Sequence, residues 1–230
     1  MLLRLCLSGT VRSKTGGSPP GRAWGGLLVL KLSFMEDIWA IILAAGESKR
    51  MGFPKMFLPF NGSTMIENVI RNIKSSKVDN MIIVSGAGSE KLSELVSGLN
   101  ANCCYNNNYK EGMLSSVLCG IRNLPADFRA VLVFQGDQPL IAPETINKVI
   151  DAYRSSGKGI VIPVFEKIRG HPLLIDRKYR DETEKLDPDK GLRSLADKFS
   201  GDVFEVETVD PGILRDFDTF HEYIKELNQI

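Results

Sequence analysis

Three stretches of the sequence carry residues that could do chemistry on phosphates. Asp137 stands in Phe134-Gln135-Gly136-Asp137-Gln138-Pro139-Leu140, at the end of an apolar run, with Gly136 clearing space beside it. Asp216 and Asp218 stand two apart in Asp216-Phe217-Asp218-Thr219, a spacing that puts both on one face if the segment is extended. A hard cation such as Mg²⁺ takes one or two carboxylates together with phosphate oxygens and water. The third stretch, Leu43-Ala44-Ala45-Gly46-Glu47-Ser48-Lys49-Arg50-Met51-Gly52-Phe53-Pro54-Lys55, leaves the apolar run Ile38–Leu43. Ala44, Ala45 and Gly46 keep its backbone bare, so amide N–H groups can approach phosphate oxygens closely. Arg50 and Lys55 add charge, and Pro54 stiffens the approach to Lys55. Each stretch also has a plainer explanation. Gly-Asp and Pro are common in strand-ending turns, Asp218 or Thr219 could serve only as a helix cap, and a βα loop is usually a short solvated connection. The first loop is longer than that, small and then basic, which favours a phosphate cradle. It lacks GxxxxGK[ST], and Gly46-Glu47-Ser48 breaks GxGxxG, so neither a Walker loop nor a dinucleotide fingerprint is present.

Two further stretches are candidates for substrate contacts. In Asn108-Tyr109-Lys110-Glu111-Gly112-Met113-Leu114-Ser115-Ser116-Val117, Gly112 permits a turn, and Ser115 and Ser116 offer hydroxyls or amides at a helix start. A simple cap is the alternative. Arg169-Gly170-His171-Pro172 holds one of only two histidines, and a lone histidine is more often structural than catalytic. Lys190 and Arg193, in Asp189-Lys190-Gly191-Leu192-Arg193, could hold an acceptor phosphate, Arg193 as a planar fork.

These residues must be positioned by a scaffold, and the pattern names one. Continuous apolar runs at Ile38–Leu43, Met81–Val84, Val131–Phe134 and Ile160–Ile162 suit parallel strands buried on both faces. Helical patterns lie between them: one opened by the capping box Thr64-x-x-Glu67, then Ser89–Val96, Leu114–Arg122 and Glu144–Tyr153. The alternation predicts an α/β fold, a Rossmann-like three-layer sandwich with a mostly parallel sheet. Ligands of such sheets bind beyond the carboxyl ends of strands, where strand order switches, which selects the loops after Leu43, Phe134 and Val206. After Pro163 the pattern loosens. Pro172–Ile175 and Val203–Val206 read as short strands around helices near Lys178–Leu186 and Gly191–Phe199, an excursion beside the sheet that would receive a second substrate. Thr219-x-x-Glu222 caps a last helix, Phe220–Asn228.

Length and composition are consistent with this. The 230 residues suit one domain, 43% apolar residues supply a core, and 29 Lys and Arg against 28 Asp and Glu give no global field for nucleic acid or acidic lipid. Residues 1–34 differ: they hold five cations and no acidic residue, and their apolar pieces are far short of the roughly 18 residues of a membrane span. They could be a targeting segment. The preferred reading places the functional domain at 35–230, starting at Met35, with a start-site artefact or disordered tail before it, since no Ala-x-Ala-like site closes the segment. Cys6, Cys103, Cys104 and Cys119 form no CxxC pair and read as buried free thiols in a reducing cytoplasm. Vicinal Cys103 and Cys104 should face opposite sides of a strand.

Leu43-Ala44-Ala45-Gly46-x-Ser48-x-Arg50-Met51-Gly52-x-Pro54-Lys55 closely resembles the signature of the MobA-like nucleotidyltransferases, and the likeness runs in pieces from about Ile38 to Tyr223. The resemblance implies that the loop from Leu43 through Ala44, Ala45 and Gly46 wraps a nucleoside triphosphate, with Lys55 on its phosphates. Gly136-Asp137 resembles the metal element of that family, and Asp218 first, Asp216 second, its closing carboxylates. Gly112-Met113-Leu114-Ser115-Ser116 resembles a nucleotide-contacting Gly-Met-Ser-Ser-Ser element, with Leu114 in place of the first serine. His171, Lys190 and Arg193 match segments facing the acceptor. The implied activity is Mg²⁺-dependent transfer of a nucleotidyl group to an acceptor phosphate, releasing pyrophosphate. The family's guanylyl-transferring branch carries Leu-Ala-Gly-Gly; Ala45 here implies the cytidylyl branch, with CTP and a molybdopterin-type acceptor, and a molybdenum hydroxylase as recipient of the product. Rival readings are transfer to a sugar or alcohol phosphate, a GTP-dependent enzyme, or a non-catalytic delivery protein for such hydroxylases. A nicotinamide-dependent dehydrogenase is a weaker rival, opposed by the broken glycine motif.

Overall fold

The computed structural model describes residues 37–86, 89–99 and 101–227; the expectations for residues 1–34 and for Cys6 lie outside them. Along the chain, β1 (Ile38–Ala44) leads through the long basic loop to β2 (Pro59–Phe60), β3 (Ser63–Thr64) and α1 (Met65–Lys74). Then follow β4 (Asn80–Ser85), α2 (Ser89–Ser97), β5 (Asn102–Tyr105), α3 (Met113–Arg122), β6 (Ala130–Gln135) and α4 (Pro143–Ser156). The remainder is β7 (Ile160–Phe165), β8 (Ile168–Arg169), β9 (Leu173–Asp176), α5 (Arg180–Thr183), α6 (Arg193–Lys198), β10 (Val203–Glu207) and α7 (Phe220–Leu227).

Eight strands make one sheet in the order β10-β7-β9-β6-β1-β4-β5, with β8 paired to β7. The β1–β4, β1–β6, β4–β5 and β7–β10 pairs are parallel. The alternation of side chains along β1 explains the layers. Ile38, Ala40, Ile42 and Ala44 enter a core with Ile66 and Ile70 of α1, Leu92 of α2 and Ile146 and Val149 of α4. Trp39, Ile41 and Leu43 enter a second core on the other face, with Val117 and Ile121 of α3 and Leu195 of α6. A strand apolar at every position is the sequence counterpart of this two-sided burial, and the mostly parallel three-layer α/β fold is as expected.

The second half departs from expectation. The segment read as lying beside the sheet enters it: β9 is inserted between β6 and β7, antiparallel to both. Leu173, Leu174 and Ile175 are buried there, so burial rather than edge placement explains their apolar character. The helix expected over Lys178–Leu186 is a 3₁₀ turn, Arg177–Tyr179, followed by the four-residue α5. Asp176 starts the turn by accepting from the Lys178 amide at 2.8 Å, and Pro188 cannot continue a helix beyond it.

Candidate active site

The chain runs from β1 outward to β4 and β5, then returns to place β6 on the opposite flank of β1. The carboxyl ends of β1 and β6 therefore border a switch in strand order, where an open α/β sheet leaves a crevice. Leu43 and Gln135 are register partners there, and the Gly136 amide donates to the Leu43 carbonyl at 3.0 Å. A Cβ on Gly136 would lie 2.9 Å from Met56 Sδ and 3.0 Å from Leu43 O. The close approach that delivers Asp137 to the crevice thus requires glycine.

The basic loop is folded by its own polar groups and pinned by a small apolar cluster. Ser48 adopts a φ of 52°; its carbonyl accepts from the Met51 and Gly52 amides, and its hydroxyl accepts from the Lys55 amide at 3.2 Å. Met51 is buried with Phe60, Met65, Phe217 and Tyr223. Phe60 belongs to a hairpin whose turn residues Asn61 and Gly62 both have positive φ, the geometry that Asn-Gly favours. Phe217 turns into the cluster, which leaves Asp216 and Asp218 on the side away from it. Thr219 and Glu222 cap α7 reciprocally, and the Tyr223 hydroxyl donates to the Pro59 carbonyl at 2.5 Å. Burial of five side chains therefore brings residues 51 and 218 to one place.

The charges meet at this place. The Lys55 ammonium pairs with Asp137, and its Nζ lies 3.1 Å from Asp218 Oδ1. Arg50 holds the other oxygen of Asp218 at 2.8 Å. Burial works against the charged form of Lys55, but Asp137 and then Asp218 outweigh it and hold the lysine above its ordinary pKa. Asp137 and Lys55 side chains are only 8% and 12% exposed, so removing either leaves a nearly buried charge unpaired. Carboxylate oxygens of Asp137, Asp216 and Asp218 lie within 4.8 Å of one another. Burial, followed by repulsion from Asp218 and Asp137, raises the Asp216 carboxyl above its usual range. Three carboxylates against Lys55 and Arg50 leave a deficit of positive charge. An all-oxygen donor set of this kind fits a hard divalent cation.

Beside these charges is a cavity of about 280 Å³, lined by Leu43, Ala45, Gly46, Lys55, Gly112, Met113, Ser116 and Asp137, and also by Met56, Tyr109 and Gln135. Gly112 has a φ of 99° and gives α3 no side-chain cap, so first-turn amides are left for a ligand. A second cavity of about 510 Å³ adjoins it and shares Met113; His171, Lys190 and Arg193, the three acceptor candidates, all line it, with Arg169. His171 and Gln135 link the two cavities: their side-chain nitrogens are 2.9 Å apart, and His171 Nδ1 is 3.4 Å from the Val133 carbonyl. Burial depresses the His171 pKa. The neutral ring donating from Nδ1 and accepting at Nε2 satisfies both neighbours.

Several expectations need correction. Ala44 is buried at the strand end and does not line the cavity. Arg50 stands outside it as the exposed partner of Asp218. Ser115 also points elsewhere: its hydroxyl donates to the Asn108 and Gly112 carbonyls at 2.9 and 2.8 Å. The cysteines among the described residues are free but not buried; Cys103 is exposed, and Cys104 and Cys119 are half-buried. Sequence reasoning overlooked Asn106, which is buried and donates to both serine hydroxyls. It also overlooked Gln135, although a polar residue closing the apolar run Ala130–Phe134 was a visible signal.

A switch-point crevice with a lysine set among carboxylates defines a class of phosphate-handling α/β proteins. The MobA-like NTP transferase domain matches residues 40–203, and the chain belongs to that family. The molybdenum cofactor cytidylyltransferase of Escherichia coli (strain K12) is 27% identical over 191 residues, spanning 83% of this chain and 95% of that protein. A probable molybdenum cofactor guanylyltransferase of Natranaerobius thermophilus is 33% identical over 136 residues, 59% of this chain and 63% of that protein. Among solved structures, Mycobacterium tuberculosis Rv0371c in complex with manganese superposes with a TM-score of 0.69 at 21% identity, covering 84% of this chain and 100% of that one.

Proposed function

We propose that this protein transfers CMP from CTP to the phosphate of a molybdopterin-type acceptor, releasing pyrophosphate, with Mg²⁺ bound at Asp137 and Asp218 and assisted by Asp216. The observation that carries the reading is Lys55, held between Asp137 and Asp218 at the rim of a cavity with a bare backbone wall. The manganese complex of Rv0371c supports a divalent cation among these carboxylates. When bound, the cation neutralises phosphate charge and polarises the α-phosphoryl group. Ala45, Gly46 and the first turn of α3 would face the triphosphate with amide groups, and Lys55 would leave its carboxylates to neutralise phosphate oxygens. Gly112, Met113 and Ser116 would shape the nucleoside end. In the adjoining cavity, Lys190 and Arg193 would orient the acceptor phosphate, and neutral His171 would fix Gln135 between the two substrates. An acceptor phosphate is already ionised at neutral pH, so positioning and charge neutralisation can carry the reaction without a general base. The cytidylyl assignment follows from Ala45 and from the coverage of the Escherichia coli relative; the guanylyl alternative has the higher local identity behind it.

The deciding experiment offers CTP, GTP and ATP in turn with Mg²⁺ and molybdopterin, and measures pyrophosphate. Release with CTP is expected; release with GTP alone would replace the cytidylyl assignment by the guanylyl one. Release with sugar or alcohol phosphates but not molybdopterin would remove the acceptor assignment. We further place the catalytic domain at residues 35–230 in a cytoplasmic protein; a chain lacking residues 1–34 should retain activity in vitro.

A further inference from the structure

Cys104 of β5 and Cys119 of α3 bring their Sγ atoms to 3.8 Å. Neither element is remote from the site. The chain between the two sulfurs contains Tyr109, Gly112, Met113 and Ser116, a whole wall of the 280 Å³ cavity. Asn106, two residues beyond Cys104, donates to the Ser115 and Ser116 hydroxyls at 2.9 and 3.0 Å. Ser116 in turn precedes Cys119 by about one helical turn. Any movement of Cys119 toward β5 is therefore imposed on the serines that Asn106 holds.

We propose that Cys104 and Cys119 are a peroxide-oxidised thiol pair whose disulfide ties β5 to α3 and distorts the cavity wall enclosed between them. Its effect on nucleotide binding rests on the nucleotidyltransferase reading; the disulfide itself does not.

The chemistry balances with a hydroperoxide as oxidant. The Cys119 sulfur attacks one peroxide oxygen, the O–O bond breaks, and the departing hydroxide takes up the thiol proton as water. The Cys104 sulfur then attacks the resulting Cys119 sulfenic acid; the S–S bond forms, the S–O bond breaks, and water leaves with the Cys104 proton. Two electrons pass from the sulfur pair to the peroxide. The order follows from environment. Burial, with the Cys119 thiol beside it, pushes the Cys104 thiol up to about 12, unsuited to a first attack on a diffusing oxidant. As the resolving group it acts at contact distance, where proximity offsets a small thiolate fraction. A disulfide needs the sulfurs at about 2.05 Å, so closure must draw the two elements together or rotate both side chains. Cys103 is exposed on the opposite face of β5 and has no thiol partner among the described residues.

The test treats the reduced full-length protein with hydrogen peroxide, alkylates remaining thiols, and maps cysteines by mass spectrometry after digestion. An intact mass lower by about 2 Da and a linked Cys104–Cys119 peptide are expected. That link should vanish in Cys119→Ser and persist in Cys103→Ser. Hydrogen exchange over residues 106–116 should change on oxidation, and the CTP dissociation constant should rise roughly three- to tenfold, the loss of about one hydrogen bond, reversibly with a thiol reductant. A link through Cys103 or Cys6, or sulfinic acid without any link, overturns the pair. A Cys104–Cys119 link with unchanged exchange at 106–116 overturns the coupling. Absence of CTP binding to the reduced protein would count against the nucleotidyltransferase reading alone, since mapping and exchange still decide the thiol pair.

Discussion

The two halves of the site are built differently. The half proposed to take the triphosphate hangs on the carboxyl ends of β1 and β6, which are paired in register and buried on both faces. Its polar groups are dense and mutually bonded: Lys55 with two aspartates, Ser48 with the Lys55 amide, Asn106 with two serines. The half proposed for the acceptor is roomier, at about 510 Å³ against 280 Å³, and is lined by the loops around β9 and α6. Arg193 and Lys190 show no ion-pair partner there among the described residues. A fixed, densely bonded half suits a step whose demand, holding phosphate and a cation, is common to every nucleotide substrate. A wide half with free cations suits a bulky acceptor held mainly through its phosphate.

Substitutions can break that contrast, and the effects should rank by half. Asp137→Asn should lower turnover by about 10² or more, read as pyrophosphate release, with a far-ultraviolet dichroism spectrum like that of the parent. Lys55→Ala should come next, weakening CTP binding roughly tenfold or more by calorimetry, since the loss of one charge-assisted contact to phosphate is accompanied by exposed carboxylate repulsion. Arg193→Ala should raise the acceptor KM by about tenfold while leaving the CTP dissociation constant unchanged; an equal effect on both substrates would erase the distinction between the halves.

The smallest effect concerns pH. His171 has a folded pKa below its ordinary value of 6.5 because the surrounding protein desolvates the half-buried ring. The unfolded chain therefore binds the proton first. Stability from the neutral ring is complete above about pH 6.5 and is lost as pH falls below it toward the depressed folded value. His171→Gln should flatten the melting temperature against pH in that window, by a slope of at most about 1.4 kcal/mol per pH unit. Parallel curves for parent and variant would show that the ring is not held neutral.

How much was legible follows the same division. β1, β4, β6 and β7 were readable because a strand covered on both faces must be apolar at every position, and Ile38–Leu43 is. The Thr64–Glu67 capping box was readable because its two hydrogen bonds are local. Leu173–Ile175 looks the same whether a strand lies beside the sheet or antiparallel within it, because apolar character records burial and not direction. Asp137 could be picked out from its place after an apolar run. The meeting of Lys55 with Asp218 could be anticipated only through the family signature, for it depends on Met51, Phe60 and Phe217 packing across more than 150 residues of chain. Ser115 misled because a hydroxyl at a helix start serves a ligand or a local carbonyl equally well, and the backbone at Gly112 decided between them. The Asn61-Gly62 hairpin was overlooked although its turn residues announce it.

The central claim is that Asp137, Asp218 and Lys55 form one metal–triphosphate site, and titration of CTP into the protein with and without Mg²⁺ tests it most directly. For the parent chain, Mg²⁺ should tighten CTP binding. In a protein carrying both Asp137→Asn and Asp218→Asn, that enhancement should disappear while the fold melts cooperatively. An undiminished Mg²⁺ enhancement in the folded double variant would contradict the account.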